Sequence, residues 1–413
     1  MSASNKVRNA IVRGAIIGLV GLLPVPAVMA AHLNLNAIYS PNKADPTHDR
    51  FVNTTPNSGY CASYPTQCPN QFSILVPIEF RTELGIDPAV NLADPRQGAY
   101  FSLPSSFRTV TVTHEKTGAT ADLKFRISGF GATYSVRNMP AGESHLQLWT
   151  STWVNASSPC RYSGYGVYSN SYYRFFWKVP LDIGACSKRA VKPVPAPFFY
   201  SGFAIAYELV TPNPLAMDIG RYSGSLTLRV GPQQDIDFGD LMLPSDDALT
   251  LNFDLAVNHL LKVDFPPGSE RAVLQPAQGW QGWLNTGKPP PTLTASQRFN
   301  LSSSGRFRIY LSCEYTLDET CAIQEATGAS KVPVDIAVTL PWGVVTHPGQ
   351  QPVQRHKLSM GSTNAQEFQT VQVQFERTAS LHYEVSGSST AEMTGHAGQT
   401  YRGTATVIFD ASI

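Results

Sequence analysis

The chain has 413 residues, with 31 Lys and Arg against 30 Asp and Glu for a formal net charge of +1. Near-neutrality argues against nucleic-acid binding, which needs a clustered basic surface, and the length allows two domains of ~100–200 residues each. Short runs rich in Thr, Val, Tyr and Phe, 31 Gly and 31 Pro spread throughout, and no long helical apolar spacing predict an all-β protein.

Residues 1–30 read as a signal peptide. Lys6, Arg8 and Arg13 supply the positive region, Ala15 to Leu23 the apolar stretch, and Val28-Met29-Ala30 the small-residue cleavage site. The apolar stretch is too short, and too interrupted by Pro24 and Pro26, to span a membrane. Its removal takes the formal charge from +1 to −2. No apolar anchor follows at the other end, so attachment to a surface is expected to go through a partner.

The mature start, Ala31-His-Leu-Asn-Leu-Asn-Ala-Ile38, alternates at Leu33, Leu35 and Ala37. It reads as the first strand of an N-terminal domain in preference to a donor strand for another subunit. Further strands are expected at Phe72 to Phe80, Arg108 to His114, Ala121 to Ile127, Ser225 to Val230, His259 to Phe265, Gly305 to Leu311, Lys331 to Leu340 and Gln369 to Phe375.

Six cysteines fall into the sequential pairs Cys61/Cys68, Cys160/Cys186 and Cys313/Cys321. An even count in an exported chain points to disulfides, although fifteen connectivities are open to six cysteines. A metal reading fails, because no Cys-x-x-Cys occurs and the nine histidines are scattered. No cofactor is expected: Gly129-Phe-Gly131 lacks the third glycine and flanking helix of a nucleotide site. No Gly-x-Ser-x-Gly or His-Glu-x-x-His motif occurs either, so no enzyme is expected. The pairs Asp235/Asp237 and Asp246/Asp247 sit in turns, where Asp is favoured for local backbone bonds.

Between Cys160 and Cys186 lies Arg161-Tyr-Ser-Gly-Tyr-Gly-Val-Tyr-Ser-Asn-Ser-Tyr-Tyr-Arg-Phe-Phe-Trp-Lys178. Tyr, Ser, Gly and Asn are the composition of binding loops, in which aromatic plates give contact area at low entropy cost. Tyr165, Tyr168 and Tyr172 are candidate receptor contacts. Tyr173, Phe175 and Trp177 also fit the inward face of a strand. Lys192-Pro-Val-Pro-Ala-Pro197 is read as a loop within the first domain, and the domain boundary is placed in the turn-rich run Gly231 to Asp240. That gives domains at 31–235 and 240–413. Trp280 and Trp283 are expected in the core or between domains.

The last residues alternate: Ala405, Val407, Phe409, Ala411 and Ile413 share one face, with Ile408 the exception on the other. Such a strand has no following hairpin partner, so its edge needs an outside cover. Tyr222-Ser-Gly-Ser-Leu-Thr-Leu-Arg-Val230 repeats the pattern of Tyr401 to Phe409, as expected of two β-domains in tandem ending on the same kind of strand.

Three segments carry a family likeness: Gly224-Ser-Leu-Thr-Leu-Arg-Val230, Leu261-Lys-Val-Asp-Phe-Pro266 followed by Arg271-Ala-Val-Leu-Gln-Pro276, and Gln399-Thr-Tyr-Arg-Gly-Thr-Ala-Thr-Val-Ile-Phe409. With them the chain resembles the tip adhesins, or initiating minor subunits, of the colonisation-factor-antigen and cable-pilus type among chaperone-usher fimbriae. The resemblance implies two tandem immunoglobulin-like β-sandwiches, the second an incomplete pilin fold lacking its last strand. It implies docking through Ala405, Val407, Phe409, Ala411 and Ile413 to a periplasmic pilus chaperone, an outer-membrane usher and the donor strand of the next pilin subunit. The first domain would then bind a host or surface receptor, such as a glycan, from the fimbrium tip. The family's arginine pocket matches this chain at Arg50, in His48-Asp-Arg-Phe51, while its other two arginines fall at Pro232 and Gln233. Rival readings are a structural pilus cap without receptor binding and a secreted carbohydrate-binding protein.

Overall fold

The computed structural model describes residues 31–411 except 46, 48, 69–71, 329 and 397. Residues 1–30, assigned to the signal peptide, and Ile413, assigned to the docking face, lie outside the described residues. Strands dominate, and they enclose two main cores.

The first core lies inside one sheet that folds over itself. The Arg108–His114 strand alternates Thr with Val and buries Val110, Val112 and His114, leaving its threonines in solvent. It pairs with the first part of a 17-residue strand, Thr120–Val136, which continues past that partner to pair with Tyr172–Lys178. Phe198–Val210 runs along the other side of this long strand. Gly220–Arg229 pairs with Ala248–Val257, and Ala31–Tyr39 lies parallel to the latter from Ala31 opposite Leu249 to Tyr39 opposite Val257. The two halves meet in the core, where Phe125 touches Phe253 at 5.7 Å between ring centroids.

The Ala248–Val257 strand corrects the expected boundary. Leu249, Leu251, Phe253, Leu255 and Val257 alternate inward and are almost wholly buried in the first core. Moving a row of large apolar side chains out of that core would expose them all to water. The division therefore falls after Val257 and not between 235 and 240. The Gly231–Asp240 run is part of the first unit, held by an ion-pair network described below. The Lys192–Pro197 segment is a loop of that unit, as expected, with Val194 bridged to Ile86.

The second unit is a sandwich. One sheet runs in the order Leu261–Asp264, Thr292–Ser303, Gln374–Ser386, Asp335–Thr339, His356–Lys357. The facing sheet runs Val344–Thr346, Gln366–Thr370, Arg306–Cys313, Ala405–Asp410. Phe299, Leu301, Phe307, Ile309, Val338, Phe368 and Leu381 fill the space between them. Three expected strands are broken: the run from Phe72 to Phe80 is a strand only at Ile74–Leu75 and again from Phe80, Lys331–Pro333 and Asp335–Thr339 belong to different sheets, and the run from Gln369 to Phe375 splits between the end of one strand and the start of the next.

All six cysteines pair sequentially, with Cα separations of 5.5 Å for Cys61–Cys68, 5.8 Å for Cys160–Cys186 and 5.6 Å for Cys313–Cys321.

Candidate functional sites

The sandwich of the second unit has an open side. Ala405–Asp410 pairs along one edge with Arg308–Cys313, from Ala405 opposite Cys313 to Asp410 opposite Arg308. Among the described residues no strand pairs with its other edge. Ala405, Val407 and Phe409 point at the core yet stay only half-buried, and so do Leu261 and Val263 at the edge of the facing sheet. Phe299 links the two edges: its ring meets Phe409 at 5.6 Å and Phe265 at 5.3 Å. A shallow apolar groove thus runs between two sheet edges, with main-chain donors and acceptors on one wall. Thr406 faces solvent. Ala411 continues past the strand to lie beside Met217, Asp218, His259 and Arg306 where the two units meet.

In the first unit the tyrosine-rich segment forms a hairpin of Arg161–Tyr168 with Tyr172–Lys178, bulged between Tyr162 and Gly166. Its second strand buries one whole face and Phe176 of the other, leaving Arg174 and Lys178 exposed. Tyr173, Phe175 and Trp177 enter the main core, and Phe176 packs with Tyr60 and the Cys61–Cys68 disulfide in a smaller one. The first strand exposes Tyr162 and Tyr168, at 56% and 61% of their surface. Tyr172 is half-buried, and the Tyr165 side chain is outside the described residues. Tyr168 stacks on Tyr173 at 5.8 Å and 13°, and Tyr173 lies nearly parallel to Tyr134 at 6.3 Å. Gly166 makes that stack possible, because a Cβ there would sit 2.1 Å from Tyr173 Cε1.

Arg50 is exposed and lies far from this hairpin along the sheet. It precedes Val52, which pairs with Ile38, and the next residue, Tyr39, lies opposite Val257 beside the second unit. The same end of the sheet holds His114, opposite Tyr222, and the start of the Thr120–Val136 strand. The hairpin pairs with the far end of that strand, Tyr172 opposite Ser135. The structure does not bring Arg50 and the tyrosines into one site.

A cleft of about 560 Å³ that the sequence did not indicate opens where the Arg108–His114 strand begins and the Gly220–Arg229 strand ends. Ser106, Arg108, Arg229, Gln234 and Asp235 line it, with Leu103 and Pro104 as its apolar side. The Arg108 guanidinium donates to Asp235 Oδ1 at 2.6 Å, and the Arg229 backbone N–H donates to Oδ2 at 2.8 Å. Burial raises the Asp235 pKa, but the bonds and charges of Arg108 and Arg229 outweigh it and hold the carboxyl below the usual range. Beneath, Arg96 grips Asp237 at 2.7 Å and Asp240 at 2.6 Å, and Asp237 also accepts the N–H groups of Gln233 and Gly239. Gln233 sits on the rim with a left-handed φ of 60°.

Trp280 and Trp283 do not enter a core. They face each other at 5.8 Å on a short helical turn, Trp280 being 38% exposed.

No family model matches the chain, and no curated protein matches it. Among solved structures it is similar to CfaE, the adhesive subunit of CFA/I fimbria of enterotoxigenic Escherichia coli, at 10% identity over 92% of both chains with a TM-score of 0.26. It is also similar to a chain of the CsuC–CsuE chaperone-tip adhesion subunit pre-assembly complex of archaic Csu pili from Acinetobacter baumannii, at 9% identity over 92% of this chain and 99% of that one, with a TM-score of 0.19. A third similar structure is a chaperone-tip adhesin complex of CFA/I fimbriae biogenesis, at 10% identity over 76% of both chains and a TM-score of 0.23. Superpositions this loose carry no functional argument, which rests on the residues themselves.

Proposed function

We propose that the chain is an exported fimbrial tip adhesin, or pilus-initiating minor subunit, of the chaperone-usher type. Its second unit accepts a strand along Ala405–Asp410, first from a periplasmic chaperone and then from the next subunit delivered at the usher. Its first unit meets the receptor.

The observation that carries this reading is the half-buried row Ala405, Val407 and Phe409 facing Leu261 and Val263 along an unpaired edge. An added strand would satisfy the free main-chain groups, and its alternate side chains would fill the groove and set the register. Left open, such an edge is a site for uncontrolled association. The Ala31–Tyr39 strand, which alternates as a donor strand would, is committed to the first unit's own sheet. That commitment favours the end of a fibre over its shaft. The exposed Tyr162 and Tyr168, at the end of the first sheet away from Arg50, favour an adhesive over a purely capping role.

The test is periplasmic expression with and without the cognate two-domain chaperone. The chain is expected to accumulate and copurify only in its presence. A chain that is equally soluble and melts cooperatively alone has no groove in need of filling.

A further inference from the structure

We propose that the exposed turn carrying Trp280, Trp283 and Leu284 is a docking surface for the folded body of the subunit whose strand fills the open groove. This goes beyond the strand itself and rests on the fibre reading given above. The groove has two mouths. Asp410 lies opposite Arg308, close to the Arg306 that meets Asp218 of the first unit, and Ala411 past it lies beside Met217, Asp218 and Ile219. The first unit therefore stands across that mouth, and a partner's body has to leave the groove at the other one, where Ala405 lies opposite Cys313. The chain's own repeat gives the matching direction. The strand Gly220–Arg229, whose pattern recurs at Tyr401 to Phe409, is covered by Ala248–Val257 running antiparallel, with Tyr222 opposite Leu255 and Leu228 opposite Leu249. A strand laid the same way on Ala405–Asp410 starts beside Asp410 and ends beside Ala405, so a body that follows it emerges at the free mouth.

The turn stands at that end of the sandwich. Thr292–Ser303 reaches the junction at Ser303, opposite Leu261, and begins at Thr292, opposite Ser386, so the turn leading into Thr292 lies at the pole away from the first unit. It continues the groove wall. Past Phe265 the chain rejoins the same sheet edge at Gln275, which exchanges main-chain bonds with Thr294 at 2.8 and 3.1 Å, while Leu274 packs on the second core. Val273 and Leu284, 68% and 71% exposed, and the Trp280–Trp283 pair cover no core of their own. Apolar side chains gathered on a surface in this way mark a site that another protein covers, and tryptophan is among the commonest anchors of such contacts. The turn is also held in shape. The Leu284 N–H donates to the Trp280 carbonyl at 3.1 Å, the Gly287 N–H to the Trp283 carbonyl at 2.8 Å, and the Gln281 side-chain amide to Asn285 Oδ1 at 3.1 Å. Pro289, Pro290 and Pro291 stiffen the return to the sheet. A surface ordered before contact loses little on binding.

The test compares two probes, the cognate shaft subunit delivered from its chaperone complex and a synthetic peptide of that subunit's N-terminal strand. The proteins are the mature chain as wild type, the turn variant Trp280→Ala/Leu284→Ser, and Trp342→Ala. Trp342 is equally exposed to solvent but adjoins Gly343, whose carbonyl accepts the Val371 N–H near the junction, so it serves as the control. The turn variant should hold the peptide as long as wild type does and release the whole subunit about tenfold or more faster. Trp342→Ala should match wild type with both probes. A turn variant that keeps the whole subunit as long as wild type overturns the inference, as does a Trp342→Ala chain that releases it just as fast as the turn variant. Equal loss of peptide and subunit overturns it too, since the turn would then act through the groove. A turn variant that loses only chaperone copurification makes the turn a chaperone contact and likewise overturns it. Wild type that takes neither peptide nor subunit refutes the fibre reading, and this inference with it. Once wild type takes the peptide, a failure in the turn variant's behaviour refutes this inference alone.

Discussion

Asp218 of the first unit and Arg306 of the second form an ion pair across the junction, with the Asp218 side chain 8% exposed and that of Arg306 24% exposed. Asp218 stands just ahead of the Gly220–Arg229 strand, where the Tyr222 hydroxyl accepts its backbone N–H at 2.8 Å. Arg306 opens the strand that pairs with Ala405–Asp410. Nearby, His259 joins the Met217 carbonyl and Ser304. The junction and the strand-accepting edge therefore share the same piece of the second sandwich.

Removing Arg306 leaves a largely buried carboxylate without its partner. Arg306→Ala should cost about 2–3 kcal/mol and should increase protease cutting at Asn258 to Leu260, between the two cores. Denaturant titration and limited proteolysis check both. A variant as stable and as resistant as wild type would show that the pair contributes nothing to the junction.

The His259 Nε2–H donates to the Met217 carbonyl at 2.9 Å, and Nδ1 accepts from Ser304 Oγ at 3.2 Å, an arrangement of the neutral ring. Burial lowers the ring's pKa below 6.5, with the Met217 carbonyl and Asp218 opposing and Arg306 adding to the shift. The unfolded chain therefore binds a proton that the folded one refuses. The stability involved is complete above pH 6.5 and is lost as pH falls from there toward the depressed folded value. Denaturant titrations between pH 7.5 and pH 5 should show that loss, and His259→Gln should flatten part of it. His145 and His382 are shifted the same way and contribute to what is left. An identical slope in the variant contradicts the assignment.

Gly166→Ala should break the stack at the hairpin, because Tyr173 occupies the space a Cβ needs. Forcing a methyl into a packed site costs about 1–3 kcal/mol. The near-ultraviolet circular dichroism of the tyrosines should change with it, while Gly184→Ala, where φ is ordinary and nothing lies within 4 Å of the Cβ position, should leave it unchanged. Equal spectra for both variants and wild type would remove Gly166 from the account.

Val407→Asp puts a charge on the groove face, at a cost of several kcal/mol when the groove is filled. Thr406→Asp, one residue away on the exposed face, is the control. Chaperone copurification and incorporation into fibres should fail for the first and persist for the second. Equal behaviour would show that the face is wrongly assigned.

Much of this was legible where a pattern is local. Thr109, Thr111 and Thr113 alternate with Val110 and Val112, and Thr406 separates Ala405 from Val407, so both strands show in the sequence at their observed positions. Ala248–Val257 alternates equally well, but the turn signals of Gly231 to Asp240 suggested a boundary before it. Those turns are braced by Arg96, which lies 141 residues from Asp237, and an ion pair over that span leaves no local signature. The cleft is hidden for the same reason, since Arg108 and Asp235 are 127 residues apart. The tyrosine segment was ambiguous between strand and loop because it is both: one strand of the hairpin is core and the other is surface.

Hydrogen–deuterium exchange of the mature chain tests the open groove most directly. It should be measured free and after fusion, through a turn at the C-terminus, of an alternating apolar strand that can fold back along the free edge. The account predicts fast exchange in the free chain of those Ala405–Asp410 amides that point away from Arg308–Cys313, their strong protection in the fusion, and a higher melting temperature. Protection already complete in the free chain, and unchanged by the added strand, would contradict it.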